Sequence, residues 1–372
     1  RSNPVAYYIA KEIKPENLAA STSRLFLGVR LECAQCHDHP FADWKREQFW
    51  QYTAFFSGLR RQNQGDFAFP GAEVPDSKEI TIPGTSRVMQ AKFLDGSEPK
   101  WKFKEPTRKT LADWITSANN PYFARATANR LWEYFLGTGI CDPVDEMVGT
   151  ESKPSHPELL DELAKEFAAH KFDLKFLIRA ITASKAYQLS SIRTHPGQDD
   201  PRLFARMPLR GMTAEQLWDS VAEATGYRDG TGRTPPGVFI ANGNNPRESF
   251  VGKFADLTGK ATEFQTTILQ ALSLMNGKVI EDATGVENSE TLLAVIDNPF
   301  MSTRERIETL YLAALSRPPK EKELSRMVRY VEEGGAEPAK TSNDDERQKR
   351  HAQALADVFW VLLNSGEFLL KQ

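Results

Sequence analysis

Cysteine is scarce in this sequence, and that scarcity excludes one class of fold. Three cysteines in 372 residues are too few for a small scaffold stapled by disulfides. No apolar run approaches the roughly 20 residues that a membrane-crossing helix needs, so we predict no transmembrane segment. A net charge of -3 without a concentrated basic face indicates no nucleic-acid partner. The chain begins at Arg1 without a basic-then-apolar leader, so either a leader was removed or the sequence starts inside a longer protein.

Composition and local patterns predict a globular, mainly α protein. Hydrophobic residues make up 40% and charged residues 26%, which suits a chain with a packed core. We expect a multi-helical fold with a small β hairpin insertion around 78–94, where residues 78–83 and 87–94 read as short strands about a Pro-Gly turn. The predicted segments are a helical 1–58, a β-containing linker or insertion at 59–105, and a helical domain at 106–372.

Two helices are predicted near the start of the chain. Leu25, Val29, Cys33 and Cys36 step by four, four and three residues, a spacing that lines one helical face. A second helix is predicted over 41–56, a stretch rich in aromatic residues that suits a haem edge, the core of a helical bundle, or both. Farther along, capping boxes mark helix starts at Ser155, Thr213 and Ser302, while 227–260 reads as irregular.

The stretch Cys33-Ala34-Gln35-Cys36-His37 carries the chemistry of this sequence. It matches C-x-x-C-H, the attachment signature for c-type haem. Two thiols three positions apart lie on one side of a helical turn, so they can add to both vinyl groups of one porphyrin edge. The following imidazole then faces the iron. The motif predicts covalent haem c, attached through Cys33 and Cys36, with His37 as the proximal iron ligand.

Three other chemistries use the same residue types. Cys33, Cys36, His37 and His39 offer four zinc ligands, although structural zinc sites normally draw ligands from distant segments and adjacent ligands strain tetrahedral closure. A thioredoxin-like redox pair would lie at a helix start after a strand, and no βαβ pattern surrounds these cysteines. A local disulfide or two buried thiols is the third alternative.

Residues on both sides of the motif resemble a known pair of domains. Residues 21–41, which read STSRLFLGVRLECAQCHDHPF, are similar to the planctomycete cytochrome-C-like domain. The companion planctomycete C-terminal domain is resembled by LADW at 111–114, NPYFARA at 120–126 and NRLW at 129–132, and the similarity continues in order at 155–161, 187–190, 213–217 and 311–319.

The resemblance implies a cellular location and a larger parent protein, but it does not imply a reaction. It implies a fragment of a larger, exported bacterial protein of the periplasm or cell envelope, with most of the cytochrome-like domain missing from this chain. Such proteins often carry a further small cytochrome module upstream. The activity of the family is not established, so the resemblance implies no substrate.

A six-coordinate electron-transfer haem needs a distal methionine or histidine. The candidates are Met212, Met275 and His156, followed by Met147 and His170; a missing upstream segment is another source, and the position could also stay open. His39 lies two residues from His37 and cannot reach the opposite haem face, so it could hydrogen-bond a propionate or cap the turn.

Three further sets of residues near the motif or alone in the chain invite an interpretation. Arg24 and Arg30 could pair with haem propionates, because arginine forms bidentate contacts with carboxylates. The acidic loop at 142–146 reads as a solvated cap. Cys141 stands alone and reads as a small buried apolar residue.

Three functional hypotheses follow from these observations. The first is an exported c-type haem protein that transfers electrons to or from a redox partner protein or an upstream cytochrome module. The second is a haem-dependent oxidoreductase that acts on a small or carbohydrate-like substrate at an open iron position. The third is a non-catalytic binding or scaffold protein whose cysteines form a disulfide or hold a metal. Whether the chain is an enzyme stays open.

Overall fold

The computed structural model has a mainly α fold, as the sequence predicts. The chain forms two compact units, Arg1–Pro208 and Leu209–Gln372. The border between them lies inside the predicted segment 106–372, while the predicted borders after 58 and 105 stay predictions. The structure describes residues 4–64, 67–74, 76–148, 153–227, 246–254, 275, 277–335 and 343–371.

Three helices build the N-terminal part of the first unit. α1 spans Pro4–Ala10, α2 spans Pro15–Thr22, and α3 spans Arg46–Thr53 with a 3-10 turn after it at Ala54–Phe56. Proline suits the first turn of α2, where a backbone N–H would have no helical partner. The aromatic residues predicted to lie in a helix over 41–56 form core, since all of them are buried except Phe41.

The predicted single helical face that runs through Leu25 and Cys36 is wrong. A short π-helix, Ser23–Leu27, follows α2 and ends at Gly28, whose φ of 63° belongs to the left-handed region that glycine adopts without strain. The chain therefore changes direction before the motif. Leu25 is 46% exposed whereas Val29 is buried, so the two side chains do not share one buried face.

Two antiparallel hairpins follow the aromatic core. β1, Leu59–Gln64, pairs with β2, Phe67–Glu73, and this hairpin is absent from the sequence-based prediction. β3, Glu79–Thr81, pairs with β4, Val88–Gln90, which confirms the predicted hairpin around 78–94. Phe93 follows β4 and stacks on Phe55 with ring centroids 5.1 Å apart, so the β segment shares the core of α2 and α3.

An ion pair with a buried carboxylate fastens the β segment to α4, which spans Thr107–Ile115. Arg108 Nε lies 2.6 Å from Glu73 Oε2, and the Glu73 side chain is only 7% exposed. The other Glu73 oxygen accepts hydrogen bonds from the Thr107 hydroxyl and the Arg108 N–H. A carboxylate at a helix N-terminus is favoured because the first N–H groups there have no helical partner.

Three further α-helices belong to the first unit. α5 spans Phe123–Leu136, α6 spans Pro157–Ala169 and α7 spans Leu174–Thr182. The capping box predicted at Ser155 is wrong, because its hydroxyl lies 3.2 Å from the carbonyl oxygen of Ile140 and does not cap α6. The helices enclose a core that includes Trp132, Leu160, Phe167 and Leu177.

The second unit is built mainly of helices. Its described elements in chain order are β5 Arg210–Gly211, α8 Ala214–Thr225, α9 Pro246–Phe254, α10 Lys278–Thr284, α11 Glu290–Asp297, α12 Thr303–Leu315, α13 Glu321–Glu332, α14 Asp344–Leu363, α15 Gly366–Leu369 and β6 Leu370–Lys371. The longest of them, α14, contacts α10, α11, α12, α13 and α15, and β5 pairs with β6 in antiparallel register, which joins the two ends of the unit.

Local sequence signals are tested directly in this unit. The capping boxes predicted at Thr213 and Ser302 are confirmed: each hydroxyl accepts from the N–H three residues ahead, and that residue's side chain accepts from the cap N–H. The irregular structure predicted over 227–260 is wrong at 246–254, which form α9. Residues 228–245 and 255–260 lie outside the described residues.

Candidate functional site

The two motif cysteines lie on one short 3-10 helix, Glu32–Gln35, and the residue after it. Ala34 in the middle of this turn is fully buried and holds it against the core. Cys33 is half-buried and Cys36 is exposed, and both are free thiols. The turn therefore keeps two cysteines three positions apart accessible from outside the protein, on a backbone that is anchored between them.

Helix α3 holds the turn from the core side. The indole Nε1 of Trp50 donates a hydrogen bond to the carbonyl oxygen of Gln35 at 3.1 Å, and Arg46 Nε donates to the same oxygen at 3.4 Å. Trp50 is buried, so its N–H needs a protein partner. Helix α3 thus contributes two polar contacts that fix the last residue of the 3-10 helix before Cys36.

The imidazole of His37 is exposed, and one of its nitrogens is bonded. Nδ1 lies 2.7 Å from the carbonyl oxygen of Asp38. A carbonyl oxygen only accepts, so Nδ1 carries a proton, and the tautomer of the neutral ring that fits this contact has an unprotonated Nε2. A histidine that binds a metal almost always donates its other N–H to such an acceptor. His37 is therefore in the tautomer that a metal ligand requires at Nε2.

Asp38 bonds to the start of α3 with both carboxylate oxygens. Oδ1 accepts from the backbone N–H of Arg46 at 3.0 Å, and Oδ2 accepts from Lys45 Nζ at 3.1 Å. The Arg46 N–H first, and then the Lys45 ammonium, hold the pKa of Asp38 below its ordinary value. A backbone bond from His39 N–H to the Trp44 carbonyl, 2.8 Å long, closes the same loop.

His39 is 8% exposed and faces inward. Its Nδ1 accepts the backbone N–H of Phe41 at 3.2 Å, so the neutral ring carries its proton on Nε2. That Nε2 is buried and has no hydrogen-bond partner among the described residues. His39 thus caps the turn, one of its two predicted roles, and its contact with a propionate stays a prediction.

Charged residues around the motif are paired with each other. Arg24 Nε lies 3.2 Å from Glu32 Oε1 and 3.0 Å from Asp145 Oδ2. Arg30 Nη1 lies 3.7 Å from Glu146 Oε2. Both arginines predicted as propionate partners therefore have carboxylate partners within the chain. The acidic loop at 142–146 binds the segment that carries the motif.

The predicted distal ligands lie in different parts of the chain. His156 belongs to the first unit, and its Nδ1 lies 3.0 Å from the Ser155 hydroxyl. Met212 and Met275 belong to the second unit; the sulfur of Met212 lies 3.4 Å from the Ser220 hydroxyl, and Met275 is 49% exposed. The assignment of a distal ligand stays a prediction.

The zinc alternative depends on several ligands lying together. In the part of the chain that the structure describes, no three or more histidine, cysteine, aspartate or glutamate side chains are grouped to hold a metal ion. The four side chains Cys33, Cys36, His37 and His39 are thus not gathered into a preassembled set. Zinc binding here stays a prediction that would require movement of the turn.

Two residues that hold the site are absent from the sequence-based prediction. Asp38 and Trp50 both act through backbone groups. The carboxylate of Asp38 anchors the backbone whose carbonyl accepts from His37, and the indole of Trp50 donates to the Gln35 carbonyl. The usual capping signal is a residue immediately before the helix, so it does not indicate Asp38, which stands eight residues before Arg46. No sequence pattern indicates the partner of a buried indole N–H.

Two stretches of the chain match family models. Residues 4–61 match the model PSCyt2, described as a protein of unknown function (DUF1549), and residues 107–253 match the model PSD1, a protein of unknown function (DUF1553). The resemblance to planctomycete domains of unknown function is confirmed at this level, and neither match is to a cytochrome c model. No curated protein and no solved structure matches the chain. Among the described residues, no helix is both long and apolar enough to span a membrane.

Proposed function

We propose that this chain is an exported c-type haem protein that transfers single electrons to or from a partner. The haem would be attached through Cys33 and Cys36, and His37 would bind the iron from the proximal side. The single observation that carries the proposal is the hydrogen bond of 2.7 Å from His37 Nδ1 to the carbonyl oxygen of Asp38. It leaves Nε2 of the exposed imidazole as the available metal-binding atom, beside two free thiols.

The donor set fits the chemistry of covalent haem attachment. A thioether forms when a thiol adds across a vinyl group, so each cysteine must be free and reachable. Cys36 is exposed and Cys33 is half-buried, on a turn whose Gln35 carbonyl is fixed by Trp50. Bound haem would supply a one-electron couple, and the chain would set its potential through the iron ligand, the hydrogen bonds to that ligand and burial.

The proposal includes a compartment and a partner. Attachment of haem to C-x-x-C-H requires export machinery, so the periplasm or cell envelope is the proposed location. The partner would be a redox protein or a cytochrome module upstream in a longer polypeptide. Cys36 and His37 are exposed, which supports an attachment edge at the protein surface that an electron-transfer partner could approach.

The test is to produce the chain with an export signal in a host that matures c-type cytochromes. We expect the intact mass to increase by one haem and the pyridine haemochrome spectrum to show two thioether links. The double variant Cys33→Ser/Cys36→Ser should carry no covalent haem. Cys141→Ala is the matched control, because Cys141 is buried and lies outside the motif, so the variant keeps both motif thiols.

Two outcomes would replace the proposal by another hypothesis. Exported wild-type protein with the mass of the bare polypeptide and no Soret band would leave the non-catalytic binding or scaffold protein. Covalent haem that binds carbon monoxide rapidly when reduced would indicate an open iron position, and so favour the oxidoreductase. Slow or absent carbon monoxide binding supports electron transfer through a six-coordinate iron.

A further inference from the structure

Two hydrogen bonds close the loop between the motif and α3 by joining its first residues to its last ones. Asp38 stands at its start, and Arg46, the first residue of α3, stands at its end. The bond of 3.0 Å from Arg46 N–H to Asp38 Oδ1 joins the two, and the bond from His39 N–H to the Trp44 carbonyl lies inside it. A carboxylate at a helix N-terminus is stabilised by the helix dipole as well as by the N–H group.

The closed loop also fixes the acceptor of the hydrogen bond that His37 Nδ1 donates. The side chain of Asp38 is tied to α3, and its main-chain carbonyl accepts the Nδ1–H of His37 at 2.7 Å. The position of that carbonyl depends on the backbone of Asp38, which the carboxylate anchors. Because the bond to the carbonyl selects the Nδ1–H tautomer, the anchor decides which nitrogen of His37 is available.

We infer that Asp38 is a positioning residue for His37, holding the imidazole in the Nδ1–H tautomer, which leaves Nε2 unprotonated. Its role in iron ligation rests on the proposed function, but its role in selecting the tautomer does not. For this role, the hydrogen bond that Asp38 Oδ1 accepts from the Arg46 N–H matters more than the negative charge of the carboxylate. The Lys45 partner supports this view, since the Lys45 and Asp38 side chains are 60% and 56% exposed and such surface pairs contribute little.

The first experiment uses the haem-free full chain labelled with nitrogen-15. Two-dimensional proton–nitrogen spectra of the His37 ring report the tautomer directly. In the wild type we expect the Nδ1–H form to predominate. In Asp38→Ala it should fall from the major to the minor form, whereas Asp38→Asn, which keeps an oxygen for the Arg46 N–H, should behave like the wild type.

Asp43→Ala is the matched control for this series. Asp43 is an exposed carboxylate of the same loop and has no hydrogen bond or ion pair with the described residues. Its removal should leave the tautomer ratio unchanged. Far-UV circular dichroism checks that all variants retain the helical content of the wild type, as expected for substitutions of exposed side chains.

The second experiment uses haem-loaded protein from a cytochrome-maturing host. Loss of the hydrogen bond from His37 Nδ1–H to the Asp38 carbonyl makes the imidazole a weaker electron donor to the iron. Because a weaker donor stabilises the oxidised iron less, the reduction potential of Asp38→Ala should rise above that of the wild type. Asp38→Asn should restore the wild-type potential. A potential shift shared equally by Asp43→Ala would assign the effect to general loosening of the loop and overturn the inference.

The two experiments fail in different ways. If wild-type protein matures without haem, the proposed function falls, and the tautomer measurement still decides the role of Asp38. If Asp38→Ala keeps the Nδ1–H form of His37 as fully as the wild type does, the inference about Asp38 is wrong, whether or not haem is attached.

Discussion

Two cysteine environments in the first unit differ in almost every physical respect. Cys141 is fully buried, and its backbone is bonded on both sides by the side chain of Asn129: Nδ2 donates to the Cys141 carbonyl at 2.6 Å, and Oδ1 accepts from its N–H at 2.9 Å. Cys33 and Cys36 lie on an accessible turn that is fixed through neighbouring backbone groups rather than through their own.

The difference separates packing from chemistry. Burial raises the pKa of the Cys141 thiol to about 11, so this cysteine is a small apolar group for most purposes, as its sequence context predicts. The motif cysteines are kept reachable although Ala34 between them is fully buried. In the first unit, the buried hydrogen bonds of Asn129 thus stabilise the backbone of Cys141, whereas the motif thiols stay accessible at the surface.

The largest effect should come from breaking the Cys141 environment with Asn129→Ala. The substitution removes the partner of two buried backbone groups, and each such loss costs about 1–3 kcal/mol. We expect the free energy of unfolding of the first unit to fall by roughly 2–5 kcal/mol, measured by urea titration. Asn119→Ala, at an exposed position before α5, is the control and should cost under about 0.5 kcal/mol. Equal costs for both substitutions would contradict this account of Cys141.

The next effect is a contrast in thiol reactivity in the folded, haem-free protein. Alkylation requires the thiolate, and a pKa raised from 9.0 to about 11 lowers its fraction at neutral pH about 100-fold for Cys141, before burial slows access further. Brief iodoacetamide treatment followed by mass mapping should label Cys36 first and Cys33 next. Cys141 should be labelled only after denaturation. Early labelling of Cys141 would show that its surroundings open readily.

Local signals of the sequence predict the helical framework well but not the shape of the site. The boxes at Thr213 and Ser302 and the strands around 78–94 depend on neighbouring residues only, and the structure confirms them. The box at Ser155 fails because a distant partner, the Ile140 carbonyl, takes its hydroxyl. Where a long-range contact competes with a local one, the pattern alone cannot tell which wins.

The motif shows the same limit at the candidate site. The five residues of the motif predict which side chains form the site. The spacing of the residues from Leu25 to Cys36 predicts that they lie on one continuous helix. The structure instead ends that helix at Gly28 and starts a separate 3-10 helix at Glu32. Trp50 and Asp38 then fix this turn from farther along the chain, by contacts that exist only after folding.

The two cysteine environments are joined at Gly28. Its carbonyl accepts the backbone N–H of Met147 at 2.8 Å, and Met147 lies on the loop that follows Cys141. A Cβ atom at Gly28 would lie 2.8 Å from the sulfur of Met147 and 3.3 Å from the Cβ atom of Ala126. The loop that carries Asp145 therefore packs directly on the segment that leads to the motif, and only glycine leaves room for it.

The smallest predicted effect tests this joint with Gly28→Ala. Any non-glycine residue with positive φ costs about 1–2 kcal/mol, and displacement of Met147 should add about 1–2 kcal/mol more. Gly96→Ala is the matched control, because Gly96 has a φ of 81° and open space where its Cβ would lie. The excess cost of Gly28→Ala over Gly96→Ala, measured by urea titration, should largely disappear when both substitutions are made beside Met147→Ala. An excess that survives the removal of Met147 would place the constraint on the contact with Ala126 or on the backbone of the segment itself, and not on the loop from Cys141.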